Sequence, residues 1–462
     1  MARVAVIGAG VSGLGTALML GRRGHTVTVF EQDPRLAGDD LDQDFFRWKR
    51  PRVPQADQPH ALLAPVRTVL RAEAPDVHAD VLARGAREYH EFDWFEARPP
   101  LRAGDEDLVT LRTRRIVLEA ALIAAARREA TVEIRSGCRV HALTVEAGNP
   151  PRVTGVRVDT EPYRADLVVD ASGRRSPVPG WLRAAGCRPP VAESHRTGIA
   201  YLCRWYRLRP GGPRDPGRVK TGSAAPFALA GVFPSDNDTF AVNLVLSTAD
   251  PARGALTDPA VFEAAGRLFP ALSAWLDLDP EPQSGVLAMA GLDNRWTALA
   301  DADGPVVLGL VGAGDSLVHT NPTLGQGTAL GLRAAQHLAA HADRIAADPT
   351  GYHDWTARAL RPWFDAQVVA DRANGTRLQQ SSPLADRRAA ARAVAAFDDP
   401  VIMRARAQVR HLQLQPREAY GTDAYGTDEV EEHVTAWLEG RPDFSPRHDG
   451  PTRERWEAAL SG

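Results

Sequence analysis

A strand, a glycine turn and a helix open the chain, and a second glycine motif near its far end has to come back to meet them. Val4-Ala5-Val6-Ile7 leads into Gly8-Ala9-Gly10-Val11-Ser12-Gly13. Far downstream stands Gly314-Asp315, followed by Asn321-Pro322-Thr323-Leu324-Gly325-Gln326-Gly327. The first motif has the spacing that lets backbone approach a pyrophosphate at a helix N-terminus. Its context is complete: residues 3–7 read as a buried parallel strand, a helix is expected from about Ser12 to Arg23, and Thr26–Phe30 forms the next strand. That strand closes with Glu31, 18 positions past the third glycine (31 − 13), where a carboxylate can accept hydrogen bonds from ribose hydroxyls. A lone motif of this kind would suit NAD as well as FAD. Gly314-Asp315 decides for FAD, since an acidic side chain on a glycine turn repels phosphates but suits a neutral ribityl chain. The small-residue loop from Pro322 to Gly327 can lie against a ring, with a helix N-terminus behind it to stabilise charge on a reduced flavin.

The expected fold is α/β. A Rossmann-like FAD-binding domain comprises residues 1–190 with 300–345, an antiparallel-sheet substrate domain is inserted at 191–299, and a helical C-terminal region covers 346–462. At 462 residues, more than one lobe is expected. Along the chain, residues 37–58 read as a loop able to cover a cofactor. Helices are expected at 60–74, 77–85 and 111–128, and strands at 132–134, 140–145, 153–158 and 165–169. Between 190 and 300 the pattern changes to β-like runs at 198–207, 228–233, 240–246 and 286–289, interrupted by one helix near 259–276. The buried style returns at Val306–Val311, and a long helix follows from about Gly325 to Arg344. The pentapeptide Ala-Tyr-Gly-Thr-Asp occurs twice in succession at 419–428 and reads as a turn-rich local duplication.

A formal net charge of −3 leaves no electrostatic footprint for nucleic acid, and the basic residues other than Lys49 and Lys220 are arginines. The three cysteines form no CxxC pair, which argues against a zinc site or a disulfide framework and for the reducing cytoplasm. The longest apolar stretch near the start, Val4–Leu20, is broken by glycines and carries the motif; it is no membrane span.

On these residues the chain resembles the flavoprotein monooxygenases of the para-hydroxybenzoate hydroxylase fold, over roughly residues 1–345 and in the same motif order. The resemblance implies FAD held by Gly8, Gly10, Val11, Ser12 and Gly13, with Glu31 and Gln32 at the adenosine end and the backbone near Val140 against adenine. It implies Arg115 as the helix-borne arginine that meets FAD, and Arg50 as the loop arginine that reaches the pyrophosphate. Asp170 with Ser176 resembles a second motif; Asp315, Pro322, Gly325, Gln326 and Gly327 resemble the flavin-contacting one. In such enzymes reduced FAD and O₂ form a C4a-hydroperoxide that oxidises a small, apolar or aromatic molecule in secondary metabolism.

Two departures qualify the resemblance. The second motif reads Asp170-Ala171-Ser172-Gly173 where the hydroxylases have Asp-Gly. This leaves open whether NAD(P)H reduces the flavin directly or through a partner flavin reductase, and keeps a flavin-dependent reductase of the same fold as the alternative. The Trp-x-Trp-x-Ile-Pro segment of tryptophan-type halogenases is absent, and neither lysine has a matching context. A non-catalytic flavoprotein is the remaining reading. His319 and His60 are the candidate acid–base residues, with Trp48 and Gln58 in segments that could face the ring. Tyr201, Trp205, Tyr206, Phe227, Phe233 and Phe240 are candidates to line a substrate cavity, although strand alternation turns only half of them inward.

Overall fold

The computed structural model describes residues 1–50, 53–380, 386–420 and 428–461. Its centre is a five-stranded parallel sheet in the order Leu310–Gly312, Leu167–Asp170, Arg3–Ile7, Thr26–Glu31, Val132–Ser136. Four of the five residues of Arg3–Ile7 are buried, as a strand covered on both faces requires. The first helix, Val11–Gly21, is buried at ten of its eleven positions and packs against both Gly327–Ala340 and Arg115–Arg128. Small residues make that approach feasible: a Cβ on Gly15 would run into the Leu332 side chain.

A second, antiparallel sheet runs in the order Gly222–Ala225, Ala228–Pro234, Thr239–Ser247, Ile199–Arg207, Glu281–Pro282, with Leu287–Ala290 also paired to Ile199–Arg207. One of its faces packs on helices Pro259–Gly266 and Pro270–Leu276 in a core of its own. A small sheet of Val191–His195, Asn294–Ala298 and Val318–His319 ties this region to the segment carrying His319.

The two main sheets are joined by a buried ion pair. Arg114, 1% exposed, and Asp236, fully buried, meet through Nε at 3.0 Å and Nη2 at 2.5 Å. Asp236 also accepts the Arg114 backbone N–H at 2.7 Å, and the Thr113 and Ser235 hydroxyls. Arg114 immediately precedes helix Arg115–Arg128, so a loop of the antiparallel sheet fixes where that helix starts.

The C-terminal helices dock on the same body through buried polar contacts. Arg404 pairs with the buried Asp105 at 2.9 Å, and His411 links two elements. Its Nδ1 accepts the Ala64 N–H at 3.0 Å, which leaves the proton on Nε2 for donation to Glu91 Oε1 at 3.1 Å.

Several expectations are corrected. Leu111 lies in a strand, Val109–Arg112, paired with an unforeseen strand Arg87–His90; the helix begins only at Arg115. Both strands are four residues long, too short for alternation to stand out. The 37–58 segment contains a helix, Leu41–Arg47, capped by Asp40, whose carboxylate accepts the Gln43 N–H at 2.9 Å. The helix expected near 259–276 is two helices, because Pro270 has no N–H to continue the first. The strand at 306–311 shortens to Leu310–Gly312 after Gly309, which takes φ +73°. The long helix spans Gly327–Ala340, and Ala342–Ala347 follows separately. Most of the 419–428 duplication lies outside the described residues.

Removing Asp236 leaves the buried Arg114 with only the more exposed Asp42 opposite it. Asp236→Ala should therefore cost about 3–5 kcal/mol, read as a lowered Tm, while a joint Arg114→Met/Asp236→Leu replacement should recover most of the loss. A second outcome concerns pH. Burial pushes the Glu91 carboxyl up, but the His411 hydrogen bond and Arg410 outweigh it and hold it at about 2. Because the folded value lies below the unfolded one, its contribution is complete above about pH 4.5 and disappears as pH falls toward 2. Glu91→Gln should flatten the Tm-versus-pH curve over that window.

Candidate active site

At the carboxyl end of the parallel sheet the three glycines of the first motif do different work. Gly8 takes φ +103° and donates its N–H to the Phe30 carbonyl at 2.8 Å. A Cβ there would strike the Ala171 carbonyl; one on Gly13 would overlap the Gly8 carbonyl. A Cβ on Gly10 would meet only Arg115 Nη2, at an ordinary contact distance of 3.5 Å. Gly10 caps helix Val11–Gly21 without any side-chain hydrogen bond, so first-turn N–H groups of Val11, Ser12 and Gly13 are left for an anion. Glu31 accepts the Ala9 N–H at 2.8 Å on one oxygen and the Asp33 N–H at 2.8 Å on the other. Each oxygen keeps a lone pair for a hydroxyl donor. Gln32 is exposed beside it. The Cys138 N–H donates to the Glu31 carbonyl at 2.9 Å, which brings the segment entering the buried Val140 alongside.

Arg115 reaches this turn, and one buried carboxylate orients both it and Arg50. Glu119 accepts Arg115 Nε at 2.8 Å and Arg50 Nη1 at 2.6 Å. Burial works against its ionisation, but Arg115 and Arg50 overcome that and hold it below the usual carboxylate range. Arg50 also lies 4.5 Å over the Trp48 ring, and its Nε is buried without a hydrogen-bond partner.

The second glycine motif abuts the first. Gly314, at φ +66°, presses on Ser12: a Cβ on it would overlap the Ser12 hydroxyl. Asp315 follows, its Oδ2 3.2 Å from His319 Nδ1. Burial raises its pKa, but His319, Arg115 and His60 more than compensate, so it stays ionised. The turn Pro322–Leu324 ends on Gly325 in the left-handed region, and Gln326 opens helix Gly327–Ala340, again without a side-chain cap. Buried polar atoms without partners gather here: His319 Nε2, Thr320 Oγ1 and Gln326 Oε1. Such orphans are costly unless a ligand satisfies them. His60 lies across the loop, its Nδ1 2.9 Å from the Gln58 carbonyl. Burial and then Arg115 push its pKa down to about 4, so the ring is neutral at physiological pH.

From this point a cavity of about 1300 Å³ extends between the flavin-type loop and the antiparallel sheet. His60, Arg115, Asp315, His319, Pro322 and Gly325 border it on one side; Leu229, Val232, Phe233 and Met289 line the sheet side. Of the six aromatic candidates, Tyr201 and Phe233 reach it. Tyr206 stacks on Phe240, Phe227 packs on Trp456, and Trp205 donates to the Asp57 carbonyl at 2.8 Å. Gln58 borders the cavity, whereas Trp48 lines a separate, smaller one.

Asp170 is held within its own loop. One oxygen accepts the Ser172 N–H and hydroxyl, the other the Ser176 hydroxyl, so it closes its own loop beneath Gly8. Sequence reasoning missed a polar cluster behind the flavin-type loop. Tyr201 donates its hydroxyl to Asn321, whose N–H donates to Asn294 Oδ1 at 2.6 Å. Asp371 accepts from Asn294 Nδ2 and from the Thr323 hydroxyl, both at 2.8 Å, and Gln367 Nε2 donates to Thr323 at 2.8 Å. The available signal was Gln367 and Asp371 four apart on one face of a C-terminal helix.

With this geometry, the similarities to known proteins become specific. Residues 3–40 match the family model described as FAD dependent oxidoreductase. The chain is 28% identical over 357 residues to Protein Rv3254 of Mycobacterium tuberculosis, covering 72% of this chain and 71% of that protein. It superposes on PqsL, a probable FAD-dependent monooxygenase from Pseudomonas aeruginosa, with TM-score 0.59 and 20% identity, over 82% of this chain and 99% of that one. The flavin-dependent brominase Bmp2 gives TM-score 0.60 at 14% identity over 95% and 99%. A point mutant of 2-methyl-3-hydroxypyridine-5-carboxylic acid oxygenase gives 0.54 at 18% over 82% and 92%. The fold is that of the flavoprotein monooxygenases. It agrees with the expected architecture: a Rossmann-like parallel core, antiparallel sheets and C-terminal helices. Among the described residues no helix is long and apolar enough to cross a membrane.

The uncapped helix, the backbone of Gly10 with only Arg115 beside it, and the orphaned polar atoms around Gln326 fit FAD. Gly13→Ala should abolish it, because the added methyl overlaps the Gly8 carbonyl; the purified variant should lack flavin absorbance while the parent protein retains it.

Proposed function

We propose that the chain is an FAD-dependent monooxygenase that hydroxylates or epoxidises a small, apolar or aromatic organic molecule. The observation that carries this reading is the cavity itself: one continuous volume has the Asp315–His319 pair and His60 on one side and the apolar sheet face on the other. Residues 1–190 with 300–345 would form the FAD-binding domain, 191–299 the substrate-binding sheet and 346–462 a helical region closing the site. Bound FAD, once reduced, supplies the electrons that activate O₂.

The remaining chemistry belongs to the protein. First-turn N–H groups of Val11, Ser12 and Gly13, with Arg115 and Arg50, would hold the pyrophosphate, and Glu31 the ribose. Gln32 and the backbone at Val140 would flank adenine. Asp315 would accept from the ribityl hydroxyls. The backbone of Pro322, Gly325, Gln326 and Gly327 would lie along the ring, the helix N-terminus stabilising negative charge there. His60, neutral and with Nδ1 committed to the Gln58 carbonyl, would offer Nε2 as an acceptor toward the cavity. His319, oriented by Asp315, would move a proton at the reacting end. The sheet would exclude water from the oxidising species.

Electrons would come from NAD(P)H, directly or through a flavin reductase, in the cytoplasm. The self-satisfied Asp170 loop supports the second route and also keeps the reductase reading in play. Rapid mixing of anaerobically reduced, FAD-loaded protein with oxygenated buffer separates the two. A transient absorbing species before oxidised flavin returns is the expected result, whereas flavin that stays reduced for minutes overturns monooxygenation in favour of the reductase. His319→Ala should then lower turnover by roughly 10²-fold or more while flavin content is unchanged.

A further inference from the structure

The C-terminal helix Pro400–Arg410 supplies part of the cavity wall, and it brings charge alongside Met403. Arg406 and Arg410 from this helix and Arg112 from strand Val109–Arg112 all border the cavity. Arg112 and Arg406 share Tyr89, Glu91 and Arg410 as charged or polar neighbours, so both belong to one neighbourhood of the cavity wall. The Arg112 guanidinium lies 3.6 Å over the Tyr89 ring. That of Arg406 lies 4.9 Å over Phe397, with Nη1 3.9 Å from Met403 Sδ.

The counter-charge is short. Glu91 is the central carboxylate; its Oε1 accepts from His411 Nε2 at 3.1 Å and forms an ion pair with Arg410 Nε at 3.3 Å. His411 is lowered by burial and adds no positive charge of its own at neutral pH. Asp93, the other carboxylate near Arg112, caps the His90 N–H at 3.2 Å and stands 3.9 Å from Arg98. Among the described residues neither Arg112 nor Arg406 has an ion pair, and burial disfavours the charge of both. Two partly buried guanidiniums without carboxylates are a costly arrangement for packing alone. Their planar forks match a carboxylate. The same cavity continues along Leu229, Val232, Phe233 and Met289, which would hold an apolar body.

We propose that Arg112 and Arg406 form an anion-binding subsite for a carboxylate carried by the substrate, whose apolar part extends across the sheet toward the flavin loop. The substrate class is thus an apolar or aromatic organic acid. This rests on the reading of the cavity as the substrate site of a flavoenzyme, but its test needs no turnover.

The test is equilibrium dialysis of the oxidised, FAD-loaded protein against one-, two- and three-ring aryl carboxylates, each paired with its carboxamide. At least one acid should bind about 10-fold or more tightly than its amide, a preference that weakens as salt is raised. Arg112→Gln and Arg406→Gln should each remove most of that preference, and Arg406→Lys should retain part of it. Flavin content reports that the variants are folded; if a glutamine variant loses flavin, Arg406→Lys and the salt dependence of the parent protein decide. No acid-over-amide preference across the panel, or a preference that survives both glutamine substitutions, overturns the subsite. Acid preference together with flavin inert to O₂ would keep the subsite and reject monooxygenation, so the two failures are distinguishable.

Discussion

The Arg114–Asp236 pair is the contact on which the candidate site depends. It crosses from the loop between two strands of the antiparallel sheet to the residue preceding helix Arg115–Arg128, and it is buried at both ends. Six donors converge on the Asp236 side chain or its immediate loop, so the junction has one geometry rather than several. Everything downstream inherits it. Arg115 is the next residue, Glu119 lies one turn later on the same helix, and Glu119 in turn orients Arg50. A single desolvated salt bridge thereby sets the sheet that lines the cavity and the Arg115–Glu119–Arg50 cluster in a fixed relation. Asp42 and Arg207 extend it: Asp42 bridges both arginines, at 2.7 Å from Arg114 and 2.6 Å from Arg207.

A similar economy holds at the opposite side of the cavity. Helix Arg361–Gln380 reaches the flavin-type loop through Asp371 and Gln367, and helix Pro400–Arg410 reaches the strand pair 87–112 through Arg404 and its neighbour His411. These contacts are polar and buried, so they specify position more than they add net stability. The C-terminal region accordingly does more than cover the core. It clamps the loop that would meet the flavin and contributes guanidiniums to the cavity wall.

Much of the nucleotide half was legible because glycine motifs are local. The roles of Gly8, Gly10 and Gly13 follow from chain conformation and close approach, and the neighbouring strand and helix are long enough to declare their periodicity. The short elements were not legible. Val109–Arg112 and Arg87–His90 are four residues each, and Leu111 fits a helical face as readily as a strand. The capped helix Leu41–Arg47 was hidden by its polar composition, although Asp40 with Gln43 three positions on is a readable start signal. The cavity aromatics show the limit most plainly: Tyr201 and Phe233 face the space, while Trp205, Tyr206, Phe227 and Phe240 went to core or loop contacts.

By itself the sequence determined the parallel core, the two glycine turns and the kind of cofactor they suit, because backbone conformation and burial pattern are written within a few residues of each motif. Only the tertiary structure decided which charges are paired. Arg114 found Asp236, Arg50 found Glu119, and Asp170 turned inward to Ser172 and Ser176. Arg112 and Arg406 were left beside the cavity without a carboxylate partner among the described residues. Partners separated by tens or hundreds of positions carry no local signature, and their energetics depend on burial that exists only once the chain has closed on itself.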